Sequence, residues 1–154
     1  MDIKIEKGAI KDLPDIQTLN NKLFGLEIAN FDPDLIPNWP LSAEGKAYFK
    51  DMIENKFVLV ARDGGHIIGY FAGTIGLDMP ITKGPLAEMD NTFIEEDYRG
   101  GGIGRKFFDV FLAECKKRGV YAIRVNASFA NKTAIAFYEK LGFKPKNLTL
   151  DFKL

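Results

Sequence analysis

The chain is poor in the side chains that usually advertise chemistry. Among 154 residues there is one cysteine, one histidine and one tryptophan. A lone cysteine, Cys115, forms no internal disulfide. One histidine, His66, set after a turn and far in sequence from every motif described below, makes no metal site. Charge of either sign is not in excess: 21 Lys and Arg balance 21 Asp and Glu, which argues against a dedicated nucleic-acid binder. No apolar run approaches membrane-spanning length, and the start "MDIKIEKGAIKDL" lacks the apolar core of a signal peptide. The absences together predict a cytoplasmic protein with no nucleic-acid, membrane or metal partner. What remains is 46% hydrophobic residues, including 13 phenylalanines. That is enough for an aromatic-rich core in a single domain, residues 1–154.

Local patterns give an element order. "DIKIEKG" alternates as a strand, and "DLPDIQTLNNKLF" places Leu13, Ile16, Leu19 and Leu23 at helical spacing. "GLEIANFDPDLIPNWPLS" reads as an irregular loop because Pro33, Pro37 and Pro40 each remove a backbone donor. Ser42 is a candidate N-cap for "AEGKAYFKDMIEN". Two β-rich runs flank Asp63-Gly64-Gly65, a hairpin signal. "LAEMDNTFIEE" reads as a strand. In "GIGRKFFDVFLAECKKRG", Ile103, Phe107, Phe108, Phe111, Leu112 and Cys115 form one apolar stripe. "VYAIRVNAS" is a strand, "NKTAIAFYEKLGF" a short helix ended by Gly142, and "LTLDFKL" a closing strand. The order β-α-α-β-β-β-α-β-α-β predicts a mixed α/β sheet.

The stretch "EEDYRGGGIGRKFF" stands out. A helix N-terminus leaves backbone N–H groups unpaired and carries partial positive charge, which suits phosphate. Gly100, Gly101, Gly102 and Gly104 keep side chains out of the approach, with Arg99 and Arg105 at the rim. The spacing fits neither the dinucleotide fingerprint, since Arg105 or Phe107 falls where the last glycine should be, nor a nucleotide P-loop, since Lys106 is followed by Phe107. Alone, the run also reads as a flexible turn without a ligand.

It does not stand alone. Arg99 to Gly104 fits R-x-x-G-x-G, and Asn131, Ala134, Phe137, Tyr138, Gly142 and Phe143 fit N-x-x-A-x-x-F-Y-x-x-x-G-F. In this order the two motifs resemble those of the GNAT family of acetyl-CoA-dependent N-acetyltransferases. The resemblance covers about residues 57–154; the N-terminal third matches only in its element order. It implies a central mixed, mostly antiparallel sheet flanked by about four helices, with a splayed cleft between the fourth and fifth strands. It implies acetyl-CoA as donor, its pantetheine beside Thr92, Phe93 and Ile94, and its pyrophosphate on the loop Arg99, Gly100, Gly101, Gly102, Ile103, Gly104 and Arg105. Asn131 would bond the cofactor and also reads as an ordinary N-cap. Homodimers are common in the family.

Acetyl transfer to an amine needs a neutral amine, donors for the developing oxyanion, and a proton for the departing thiolate. The resemblance makes Tyr138 the acid; by spacing alone it is a helix tyrosine packed beside Phe137. The base stays open. The position that carries a glutamate in some relatives holds Asn126, which leaves Glu88 and Asp90. Phe31 and Trp39, with Tyr48, lie where the family forms its acceptor side, and also read as aromatic packing. Acidic Glu27, Asp32 and Asp34 would attract a cationic amine, either a small molecule or a peptide. The missing glutamate motivates the alternative of a CoA-binding module without catalysis.

Overall fold

Alternation along the chain becomes a five-stranded sheet in the order β1-β2-β3-β4-β5 in the computed structural model, which describes residues 2–154. The strands are β1 (Ile3–Lys7), β2 (Phe57–Asp63), β3 (His66–Leu77), β4 (Leu86–Ile94) and β5 (Ala122–Val125). The helices are α1 (Leu13–Asn30), α2 (Ala43–Asn55), α3 (Ile103–Lys117) and α4 (Lys132–Leu141). The sheet is mixed: β1 to β4 pair antiparallel and β4 pairs β5 parallel. Asp63 pairs with His66, so Gly64 and Gly65 form the two-residue hairpin turn that their sequence signals.

Each face of the sheet buries its own cluster. Phe57, Leu59 and Ala61 of β2 pack with Phe107, Phe108, Phe111 and Cys115 of α3. Val58 and Val60, pointing the other way, pack with Ile16 and Leu19 of α1 and Phe49 of α2. The apolar stripe of α3 is thus core, with Phe111 wholly buried against Phe57 and Phe71. A β-bulge changes the phase of β4. Ala72 pairs with Asn91 and the next residue, Gly73, pairs with Met89, so Asp90 is the extra residue. Before the bulge Ala87 and Met89 join the α3 cluster; after it Phe93 joins the α1/α2 cluster.

The bulge coincides with the end of the parallel ladder. Pairing of β4 with β5 runs from Leu86↔Ala122 to Met89↔Val125 and stops. From Asn91 to Ile94, β4 pairs with β3 alone. The splayed cleft expected between the fourth and fifth strands therefore opens at Met89 and Val125.

Two expectations need correction. α1 does not end at Phe24 but runs through Gly25 to Asn30. A helical glycine costs about 1 kcal/mol, and packing of Leu23 on the α1/α2 cluster and stacking of Phe24 on Trp39 offset it. The closing strand "LTLDFKL" is in no sheet. Leu148, Leu150, Phe152 and Leu154 are all exposed, and Lys153 donates to Asp34 Oδ1 at 2.8 Å. Alternation marks a chain able to form a strand; it does not supply a partner.

Candidate active site

Two surfaces meet along β4 where it parts from β5. The first is main chain. Glu95 N donates to Ile68 O on β3 at 2.9 Å. Strand alternation then turns Phe93 toward β3 and leaves the N–H and C=O groups of Thr92 and Ile94 on the open side. Of the three residues expected to line the cofactor arm, two present their backbone to the cleft, and the Phe93 side chain lies in the α1/α2 core. Ile94 O accepts from Arg99 Nε at 2.8 Å, and the Arg99 guanidinium sits 5.2 Å from the Phe93 ring centroid.

The glycine loop follows at once. Gly100 (φ +78°) and Gly102 (φ +84°) adopt left-handed backbone, and a Cβ built on either meets nothing within 4 Å. Gly102 is the N-cap of α3 and offers no side chain to its first amides, so the start of this 15-residue helix is bare. Arg105 at the rim pairs with Asp109 at 3.0 Å. Gly104 differs from the sequence expectation. A Cβ there would lie 2.9 Å from Phe137 Cζ and 3.7 Å from Ile94 Cδ1. Its bareness serves the packing of α4 on α3, not the approach of a phosphate, and it joins the end of β4, the start of α3 and the middle of α4 at one point.

Asn131 caps α4: its Oδ1 accepts from Ala134 N at 3.0 Å. Its amide NH₂ has no protein partner among the described residues. Seven residues on, half-buried Tyr138 sits between Phe137 (centroids 5.3 Å) and Phe143 (5.8 Å). Burial first, then the nearby Glu27 carboxylate, push its phenol pKa above the ordinary value. The hydroxyl therefore keeps its proton at neutral pH and takes no protein partner among the described residues. Burial and the charge of Asp32 in turn raise Glu27 above the usual carboxylate range.

The second wall is side chain and acidic. Glu88 Oε1 accepts from Asn126 Nδ2 at 3.0 Å, which ties β4 to the segment after β5 just where the two part. Asp90 Oδ2 accepts from Thr74 Oγ1 at 2.7 Å. Burial, and then Glu88, raise the Asp90 pKa above its ordinary value, with Thr74 opposing. Trp39 stacks on Phe24 (5.9 Å, 15°) and meets Tyr48 edge-on (5.9 Å, 61°), so its aromatic packing is real and joins α1 to α2. Phe31 is half-buried at the C-terminus of α1. Sequence reasoning missed Asn91, which bonds both Tyr70 and Tyr48. Only knowledge of the bulge would assign it to this face. Cys115 is buried in the core beneath α3, and burial pushes its thiol up to about 11. Among the described residues no group of three His, Cys, Asp or Glu side chains could hold a metal ion, and no helix is long and apolar enough to cross a membrane.

Relatives of the chain include acetyltransferases. A family model described as the acetyltransferase (GNAT) family matches residues 24–143. An uncharacterized N-acetyltransferase of Methanocaldococcus jannaschii is 33% identical over 104 residues, covering 66% of this chain and 46% of that protein. An IAA acetyltransferase of Azospirillum brasilense is 34% identical over 85 residues, covering 55% and 52%. The chain thus spans about half the length of these curated relatives. In structure it resembles a Bacillus halodurans protein (TM-score 0.79, 21% identity, covering 98% of this chain and 99% of that one). It also resembles AAC(6')-Iy in complex with a bisubstrate analogue of CoA (TM-score 0.78, 14% identity, covering 100% and 99%). The parted strands, the bare helix start and the matched segment agree, and the chain belongs to the GNAT family of acetyltransferases.

Proposed function

We propose that the chain transfers the acetyl group of acetyl-CoA to a primary amine by direct attack in a ternary complex. One observation carries this reading: the open amides of β4, the unblocked start of α3 and the Tyr138 helix meet at a single junction, Gly104. The cleft fits the donor. Left-handed glycines with open space around them admit a diphosphate to the amides of α3. The N–H and C=O of Thr92 and the N–H of Ile94 suit an amide-bearing arm added as a strand, and Asn131 NH₂ is free to bond it. Acetyl-CoA supplies an activated thioester. The chain's own residues would do the rest. A main-chain N–H near Ile94 polarises the acetyl carbonyl, and the Tyr138 hydroxyl gives its proton to the departing sulfur. Asp90, whose raised pKa makes it a stronger base than an ordinary aspartate, takes the ammonium proton directly or through water. Glu88 is the second candidate for that role.

The acceptor wall, with Glu27, Glu88 and Asp90 near its aromatic residues, favours a cationic amine. Phe31 and Trp39 would flank it. Among relatives, AAC(6')-Iy is an aminoglycoside N-acetyltransferase, and a protein of Escherichia coli acetylates an alanine of a ribosomal protein. Small-molecule and peptide amines both remain within this reading, as does a cytoplasmic location. An amine-panel assay of CoA release tests it. Turnover that falls in Tyr138→Phe supports the proposal, and acetyl-CoA binding without turnover of any amine favours a non-catalytic module.

A homodimer belongs to the same reading, with a second copy of the chain as the partner. A groove of about 490 Å³ runs beside β5 and is lined by Leu112, Val120, Ile123, Leu141 and Phe143. β5 pairs on one side only, and the exposed tail alternates as a strand would but pairs with nothing. Lys116 and Lys144 on the groove complement Asp151 of a partner's tail. Sedimentation of the full chain against a variant lacking residues 148–154 tests it; a monomer in both cases overturns it.

A further inference from the structure

A buried polar chain crosses the α1/α2 core and ends at the acceptor wall. Asn20 and Tyr70 are almost wholly buried, where an unpaired polar group costs several kcal/mol. Asn20 Nδ2 donates to the Tyr70 oxygen at 2.6 Å. The Tyr70 hydroxyl donates to Asn91 Oδ1 at 2.7 Å. Asn91 Nδ2 donates to the Tyr48 oxygen at 3.2 Å. The four residues come from α1, β3, β4 and α2, and they meet because the Asp90 bulge turns Asn91 onto this face.

The chain has a direction. A phenol carries one hydrogen. That of Tyr70 is spent on Asn91. Tyr48 accepts from Asn91, so its own O–H points away from the network. The Tyr48 phenol also keeps its proton: burial first, then the Asp90, Glu88 and Asp51 carboxylates push it up to about 12, with the Asn91 bond opposing. Edge contacts with Trp39 (5.9 Å) and Phe49 (4.9 Å) hold the ring.

We propose that Tyr48 is a specificity-determining donor: its outward O–H recognises a hydrogen-bond-accepting oxygen two or three atoms from the reacting amine. Tyr70 and Asn91 are positioning residues that aim it. This rests on the acetyltransferase reading. The acceptor class is then an amine flanked by a hydroxyl, ether or carbonyl oxygen, its cation facing Asp90 and Glu88. A bare alkylamine leaves the Tyr48 proton without a partner inside the closed complex, which costs affinity.

The test uses two amines that differ only by an oxygen for a methylene, 2-methoxyethylamine and n-butylamine, each expressed as free-base concentration. The full chain with acetyl-CoA should prefer the ether about tenfold, mostly in KM, the worth of one hydrogen bond. Tyr48→Phe should bring the ether down to the level of butylamine. Tyr70→Phe, which alters nothing in the cleft itself, should raise KM for the ether about threefold more than KM for butylamine; a merely structural loss would move both alike. Equal kcat/KM for the two amines in the wild type, or a preference that survives in Tyr48→Phe, overturns the proposal while leaving the acetyltransferase reading intact. Turnover of neither amine, while others of an amine panel are acetylated, overturns the proposal alone; acetyl-CoA binding with turnover of no amine at all overturns both.

Discussion

The two walls of the cleft are built from different materials. The donor wall is main chain: the edge of β4 past its bulge, two left-handed glycines and the first amides of α3. The wall proposed for the acceptor is side chain: Glu88, Asp90 and Asn91 from β4, Tyr48 from α2 and Trp39 ahead of it, with Asn91 bonded to Tyr48 and Tyr48 edge-on against Trp39. Main-chain groups cannot be substituted away, so a wall made of them suits a ligand that stays the same. Side chains change one at a time, so the other wall suits a ligand that varies within a family.

The contrast predicts different failures for variants on each side. The largest effect is expected between the walls. Tyr138→Phe should lower kcat by about 100-fold or more, the range of a lost general acid, with little change in the donor's KM; an unchanged kcat would remove the phenol from the chemistry. Gly102→Val should act on the donor wall alone. A β-branched residue at φ +84° costs about 1–2 kcal/mol. It should also abolish the roughly 2.7 kcal/mol of stabilisation that acetyl-CoA confers at 100 times its Kd, read as a lost melting-temperature shift. A full shift in the variant would break the assignment of the loop.

On the wall proposed for the acceptor, Asp90→Asn should lower kcat/KM for a cationic amine at least about tenfold, through the lost charge and the lost base, and leave the acetyl-CoA shift alone. The pH profile follows from the sign of its shift. Burial raises the Asp90 pKa, so its negative charge is present above that raised value and is lost as pH falls through it. Acceptor KM should therefore climb on acidification at a higher pH than an ordinary aspartate near 4 would give, and the climb should vanish in Asp90→Asn. The smallest effect belongs to neither wall. Cys115 should resist a thiol reagent in the folded protein and react on unfolding, since it is buried with its thiol held neutral up to about 11.

The same contrast explains what the sequence made readable. The donor wall depends on contiguous residues, so Arg99 to Gly104 and Asn131 to Phe143 announce it. The α3 stripe and the Gly64-Gly65 hairpin are local too, and both are present as expected. The acceptor network joins positions 20, 48, 70 and 91, and its register depends on one extra residue in β4; no spacing rule reaches that far. Tertiary packing overrode the local signal at Gly25, where Leu23 and Phe24 carry α1 onward. The alternation of Leu148 to Leu154 describes a capacity to pair that no neighbour in the same chain meets.

Gly104 carries a practical warning. Because a Cβ there would lie 2.9 Å from Phe137 Cζ, any larger residue obliges the Phe137 ring to shift. Such a variant could lose turnover through the ring that packs on Tyr138, the proposed acid, while the glycines ahead of it stayed sound.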